Sequence, residues 1–146
     1  MENLMDIWFD YNIPKDSIVI EVSEDKVKGG LSDVLDKIVE LKNNGFHIAI
    51  DNYGAKYADL FLFSEVKFDT LKLDRELVHK LETDEKTCMI SKSVIDICKN
   101  YNISVVAEGV ENEKEYNILK EMGCDEAQGY LFDKPMSWNR FEEKYL

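Results

Sequence analysis

Short apolar runs that close on polar side chains alternate along the chain with stretches of helical periodicity. Residues 18–20 end at Glu21, residues 48–50 at Asp51 and Asn52, and residues 105–107 at Glu108. A fourth run, 70–74, carries Lys72 between Leu71 and Leu73 and ends at Asp74, and a short fifth run ends at Gln128. Runs of this length and composition predict buried strands over 17–22, 47–51, 69–73, 103–107 and 125–130. The near-continuous apolar character of the first four predicts a sheet covered on both faces.

Between them lie segments with apolar residues at helical spacing. Leu31, Val34, Leu35, Ile38 and Val39 predict a helix stopped by Gly45, reached through a loose connection at Gly29-Gly30. Tyr57, Leu60, Phe61 and Phe63 predict a short helix, and a brief one follows near 75–81. A longer helix is expected from Thr83, with Asp84 and Glu85 in its first turn and Met89, Ile90, Val94, Ile95 and Cys98 buried. Asn112 followed by Glu115 resembles a capping box opening a helix that buries Ile118, Leu119 and Met122 and stops at Gly123. Ser137 is expected to cap a last helix bearing Trp138 and Phe141, and Leu4, Ile7, Trp8 and Tyr11 predict an amphipathic helix over 2–11. Strands alternating with helices imply an α/β fold with a parallel sheet, which gathers the polar strand ends at one rim. Such rims are where α/β barrels place their chemistry.

Composition narrows the classes. At 45% hydrophobic and 33% charged residues, the 146-residue chain is expected to form one globular domain. It is too short for a complete eight-stranded α/β barrel of about 250 residues. The net charge of −12 argues against a nucleic-acid surface, which needs cations in excess. No apolar run approaches the roughly 20 residues of a membrane span, and the acidic start lacks the form of a signal peptide, so the expected location is the cytoplasm. Cys88, Cys98 and Cys124 lack zinc-site spacing and are expected to be reduced, mostly buried thiols. His47 and His79 have no partner at a recognisable spacing and read as structural or exposed, and Trp8 and Trp138 read as packing residues.

Taken singly, a carboxylate after a strand is most often a solvated loop residue or a helix cap. Lys72 says more, because an amine in a buried strand must reach an anion or bear a desolvation cost. Three acids, an amide and an amine at one rim suit one or two divalent cations.

Glu21-Val22-Ser23-Glu24, Asp51-Asn52-Tyr53-Gly54, Lys72-Leu73-Asp74, Ala107-Glu108-Gly109-Val110-Glu111, and Gln128-Gly129-Tyr130 with Lys134-Pro135 follow in this order over almost the whole chain. The series resembles the EAL-domain phosphodiesterases, which hydrolyse the bacterial second messenger cyclic di-GMP to linear pGpG. The resemblance implies a partial TIM-like (β/α) barrel of about five parallel strands alternating with helices, a single incomplete domain over 1–146 matching the family's C-terminal units. The segment with the Glu-Ala-Leu motif and a following metal-binding Asn are not found in it. By the same resemblance, Glu21, Asp51, Asn52 and Glu108 would face Mg²⁺ or Mn²⁺, with Glu108 also facing the attacking water. Lys72 would polarise water or phosphate, Gln128 would position, and Glu24 would anchor the loop after Asp51.

Two positions depart from the family pattern. Asn52 stands where active members usually carry a second Asp, and an amide is the poorer bridge between cations. Residues 54–59 replace a Gly-Thr-Gly-Tyr-Ser-Ser loop, with Lys56 in place of a Gly. Isolated catalysis is therefore expected to be strongly impaired, the alternatives being a nucleotide-binding or protein-interaction module or an inert fragment. An incomplete barrel leaves sheet edges open, so a homo-oligomer or a complementing polypeptide is the expected partner, with cyclic di-GMP as a possible ligand and no nucleic acid or membrane.

Overall fold

The computed structural model describes residues 13–28, 32–55 and 59–146. The helix expected over 2–11, the Gly29-Gly30 connection, and Lys56 and Tyr57 lie outside the described residues.

Five strands form one parallel sheet in sequence order: β1 (Val19–Ser23), β2 (His47–Tyr53), β3 (Thr70–Leu73), β4 (Ser104–Ala107) and β5 (Glu126–Ala127). The helices between and after them are α1 (Glu24–Lys28), α2 (Ser32–Asn43), α3 (Leu62–Glu65), α4 (Arg75–Lys80), α5 (Glu85–Asn100), α6 (Glu113–Met122) and α7 (Trp138–Tyr145). This is the expected order of a βα barrel segment.

Residues paired across parallel strands share a face of the sheet. Ile48, Ile50, Leu71, Leu73, Val105 and Ala107 lie on one face, all fully buried, against Val78, Ile95, Cys98 and Leu119 of the helices. On the opposite face Val19, Glu21, His47, Ser104 and Glu126 are exposed among the described residues, Thr70, Lys72 and Val106 are half-buried, and Ala49 is buried. The expectation of a sheet covered on both faces is thus corrected. β3 and β4 alternate buried with half-buried or exposed positions because the described helices pack on one side only.

Three further expectations are adjusted. β5 is two residues long, since after Ala127 the chain leaves the ladder through Gln128. α5 begins at Glu85, with Asp84 as its cap accepting the Lys86 N–H, and Met89 and Ile90 are exposed. Its buried stripe is Ser91, Val94, Ile95 and Cys98. At about 100° per residue, Ile90 and Met89 sit about 100° and 200° away from Ser91. Trp138 stacks on Phe141, with ring centroids 6.2 Å apart, but is itself 65% exposed and so contributes little to packing.

Carboxylates latch the strand beginnings. Asp69, just before β3, accepts the Ile48 N–H at 2.8 Å and the Lys42 Nζ at 2.6 and 2.7 Å, and Asp125, just before β5, accepts the Val105 N–H at 2.8 Å. Burial works against the Asp69 carboxylate, yet the Lys42 and Ile48 hydrogen bonds outweigh it and hold its pKa below the usual 3.8. A lowered carboxylate pKa adds stability above the unfolded value that is lost as pH falls through the folded one. Thermal melts should therefore drop in midpoint below about pH 4, and Asp69→Asn should show a shallower drop over the same range. An unchanged pH profile in Asp69→Asn would remove the latch from the account.

Candidate functional site

The rim is set by the ladder. Glu21 pairs with Ala49, Ala49 with Thr70, and Thr70 with Ser104. Counted along each strand from that row, Asp51 and Lys72 stand two residues further on and Glu108 stands four. Gln128 shares the Glu108 row, because Ala107 pairs with Ala127. The polar groups thus climb by about one residue per strand, the stagger of an eight-stranded barrel with shear 8. Side chains that look offset in sequence register are brought together by the tilt of the strands.

β2 adds an irregularity where the site needs it. Ile50 pairs with Leu71 and Tyr53 with Leu73, so Asp51 and Asn52 together oppose the single residue Lys72. This is a β-bulge, and Asn52 takes a positive φ of 59°, which Asn tolerates better than most residues. In a regular strand, neighbours point to opposite faces. Here the Asn52 Nδ2 donates to Asp51 Oδ2 at 2.8 Å, so the two side chains meet. β2 continues through this bulge to Tyr53 and does not end at Asp51 as expected.

The structure brings the predicted residues around one ammonium group. Lys72 Nζ lies 2.7 Å from Glu21 Oε1, 3.3 Å from Asp51 Oδ1 and 2.7 Å from Glu108 Oε1. Gln128 Nε2 donates to the same Glu108 oxygen at 2.7 Å. Burial disfavours the charged lysine, but hydrogen bonds to Glu108 and Glu21 prevail and push its pKa well above the ordinary value. Gln128 is held by the close approach of Gly129 to Val110. A Cβ on Gly129 would lie 2.2 Å from the Val110 carbonyl oxygen, so no larger residue fits there.

Glu24 sits apart from this cluster, 4% exposed at the start of α1. Its Oε2 accepts the Gly54 N–H and its Oε1 the Asp59 N–H, both at 3.2 Å, which ties together the two described ends of the loop after β2.

Among the described residues, no three His, Cys, Asp or Glu side chains are gathered at metal-ligand spacing. Lys72 stands among the acids that would do so. Their chemistry nonetheless fits a hard divalent cation: three carboxylates converge, and Asp51 Oδ1 is buried with no hydrogen bond of its own. Asn52 adds an amide oxygen but no charge. Beside Gln128 opens a cleft of about 830 Å³, lined by Arg75, Gly109, Tyr130, Lys134, Trp138 and Phe141 among others. Lys134 Nζ lies 5.3 Å from the Tyr130 ring centre, so the cleft combines cations with aromatic faces.

Two of the thiols are held in the protonated form. Burial pushes Cys98 up to about 12 and Cys124 up to about 11, leaving them as thiols at neutral pH. His79, read from the sequence as structural or exposed, has a partner that no spacing shows: its Nδ1 lies 2.8 Å from Glu115 Oε1. The two are 36 residues apart, and no local pattern links them.

Comparison with known proteins places these features in context. The EAL domain family model matches residues 1–135. The cyclic di-GMP phosphodiesterase RocR of Pseudomonas aeruginosa is 34% identical over 140 residues, covering 96% of this chain and 36% of RocR. A solved structure of the EAL enzyme Bd1971 with cAMP and cyclic di-GMP bound superposes with a TM-score of 0.89 at 30% identity, covering 97% of this chain and 38% of that one. The Klebsiella pneumoniae BlrP1 complex with manganese and cyclic di-GMP gives a TM-score of 0.85 at 34% identity, covering 90% of this chain and 34% of that one. The chain therefore spans little more than a third of these relatives.

Proposed function

The chain belongs to the EAL domain family, and from that premise we propose that it forms the cation- and cyclic di-GMP-binding part of a phosphodiesterase site, with hydrolysis by the 146-residue chain alone slow or absent. The observation that carries this reading is the convergence of Glu21, Asp51 and Glu108 on Lys72, with Gln128 fixing Glu108. Relatives solved with manganese or calcium and cyclic di-GMP support a divalent metal dependence, and Mg²⁺ or Mn²⁺ is the metal proposed for these acids.

Glu21, Asp51 and Glu108, with the Asn52 amide oxygen, would hold the cation. When bound, the cation supplies positive charge that polarises a phosphodiester oxygen. Lys72 holds its proton through the neutral range and offers fixed positive charge to the phosphate. Glu108, oriented by Gln128, would take a proton from the water whose oxygen forms the new bond to phosphorus, while the P–O bond to the ribose oxygen breaks and that oxygen takes a proton from solvent. The adjacent cleft suits a dinucleotide: Tyr130 and Trp138 offer faces for bases, and Arg75 and Lys134 offer charge to phosphate. Glu24 keeps the loop after Asp51 and Asn52 in place. The neutral Asn52 is the reason for placing turnover low, because two cations would share one carboxylate fewer.

Calorimetry tests the reading. Cyclic di-GMP should bind only with Mn²⁺ present, and Glu108→Gln should weaken Mn²⁺ binding by about tenfold or more. No heat with or without Mn²⁺ would leave an inert domain, and brisk conversion to pGpG by the purified chain would overturn the expected impairment. The open sheet face, with Val19, His47 and Ser104 exposed among the described residues, favours a second role as a docking surface. A second copy of this chain or a polypeptide supplying further βα units would cover it, and light scattering at micromolar concentration reads the self-associated form directly.

A further inference from the structure

We infer that His79 and Glu115 are positioning residues for Glu108: together they lock the turn over residues 108–111 onto α4, so that Glu108 meets Lys72 at a fixed distance. The inference rests on the proposed role of Glu108 and adds a part of the machinery outside the acidic cluster.

Glu115 is 3% exposed, one of the two carboxylates buried among the described residues. Its Oε2 accepts the Glu111 N–H at 2.7 Å, and its Oε1 lies 2.8 Å from His79 Nδ1. A carboxylate that served only to cap α6 would need no second helix. Asn112 already caps α6, its Oδ1 accepting the N–H groups of Lys114 and Glu115. The second oxygen of Glu115 instead reaches α4, the helix that follows β3 directly and is itself capped by Asp74. Lys72 is thus joined to α4 through Asp74, and Glu108 is joined to α4 through Glu111, Glu115 and His79. On the opposite side, the Val110 N–H donates to the Gln128 carbonyl and the Leu131 N–H to the Val110 carbonyl.

Burial opposes ionisation of Glu115, but the Glu111 N–H and His79 bonds hold it below the usual carboxylate range. An ionised carboxylate only accepts, so His79 Nδ1 is the donor of this bond. His79 Nε2 is left 3.8 Å from Glu111 Oε1, on the same turn. The buried acid therefore engages the turn through a backbone bond and α4 through the imidazole.

Hydrogen exchange on the full chain, with Mn²⁺ titration beside it, decides the matter. In His79→Ala the amides of residues 108–112 should exchange about tenfold faster while those of α5 are unchanged. Mn²⁺ affinity should fall about tenfold in the same variant. His79→Asn, which can place an N–H near the Nδ1 position, should recover most of both. Unchanged exchange at 108–112, an equal rise in α5, no recovery in His79→Asn, or a loosened turn with undiminished Mn²⁺ affinity would each overturn the inference. A wild-type chain that binds no Mn²⁺ would instead sink the proposed function, and the exchange data would still judge the lock.

Discussion

Replacing Lys72 with Met will lower the thermal midpoint of the metal-free protein by about 10 °C, a loss of about 3 kcal/mol. Methionine keeps the length and apolar stem of the side chain, so the change removes charge with little change in packing. What remains is three carboxylates drawn together with no cation between them. The side chains of Lys72, Glu108 and Asp51 are 12%, 19% and 23% exposed, so water screens their repulsion poorly. Glu21, at 50% exposed, can turn to solvent and contributes less. The raised pKa of Lys72 means that its contribution is complete at neutral pH and fades only as pH rises beyond the ordinary lysine value of 10.5. Millimolar Mn²⁺ should recover more of the midpoint in Lys72→Met than it adds to the wild type, because the ion no longer competes with an ammonium. Calorimetric melts with and without Mn²⁺ measure both effects. A variant that melts with the wild type in the absence of metal would mean that the three acids do not depend on Lys72.

Gly129→Ala is the second large effect, with an expected cost of about 3 kcal/mol or more. The new methyl would meet the Val110 backbone nitrogen at 2.3 Å and its carbonyl oxygen at 2.2 Å, and backbone atoms cannot rotate aside. The connection after β5 would have to shift, breaking the Val110 N–H bond to the Gln128 carbonyl and moving the Gln128 side chain away from Glu108. Gly45→Ala provides the contrast. Its φ is +88° but the nearest atom to its Cβ is a Lys15 side-chain carbon at 3.7 Å, so only a backbone cost of about 1 kcal/mol applies. Urea unfolding of the two variants compares them directly. Equal losses would mean that contact with Val110 is not what requires glycine.

Much of the site was legible because parallel strands make it so. A buried strand ending in a polar group is a local pattern, and Glu21, Asp51, Lys72, Glu108 and Gln128 could each be found from it. The helices with capped ends, α5 and α6, were placed within a residue or two for the same reason. What escaped depends on relations between distant segments. The bulge at Asp51 and Asn52 appears only when β2 is laid against β3, since no residue in the run marks it as irregular. The His79 and Glu115 pair joins two helices, and neither residue has a partner within its own turn. Met89 and Ile90 were assigned to the core by their apolar character, although their angle on α5 faces them outward. The single covered face of the sheet was hidden because apolar runs describe a strand's composition and not which neighbours reach it.

The bulge in β2 also bears on how this rim can change over generations. A left-handed backbone at position 52 is entered freely by glycine, tolerated by asparagine or aspartate and resisted by most other side chains. Asparagine and aspartate codons differ by a single base, and the two side chains have nearly the same shape. The charge at position 52 can therefore be gained or surrendered by one nucleotide while the scaffold stays as it is, so the uncharged side chain found there is an easily reversed condition.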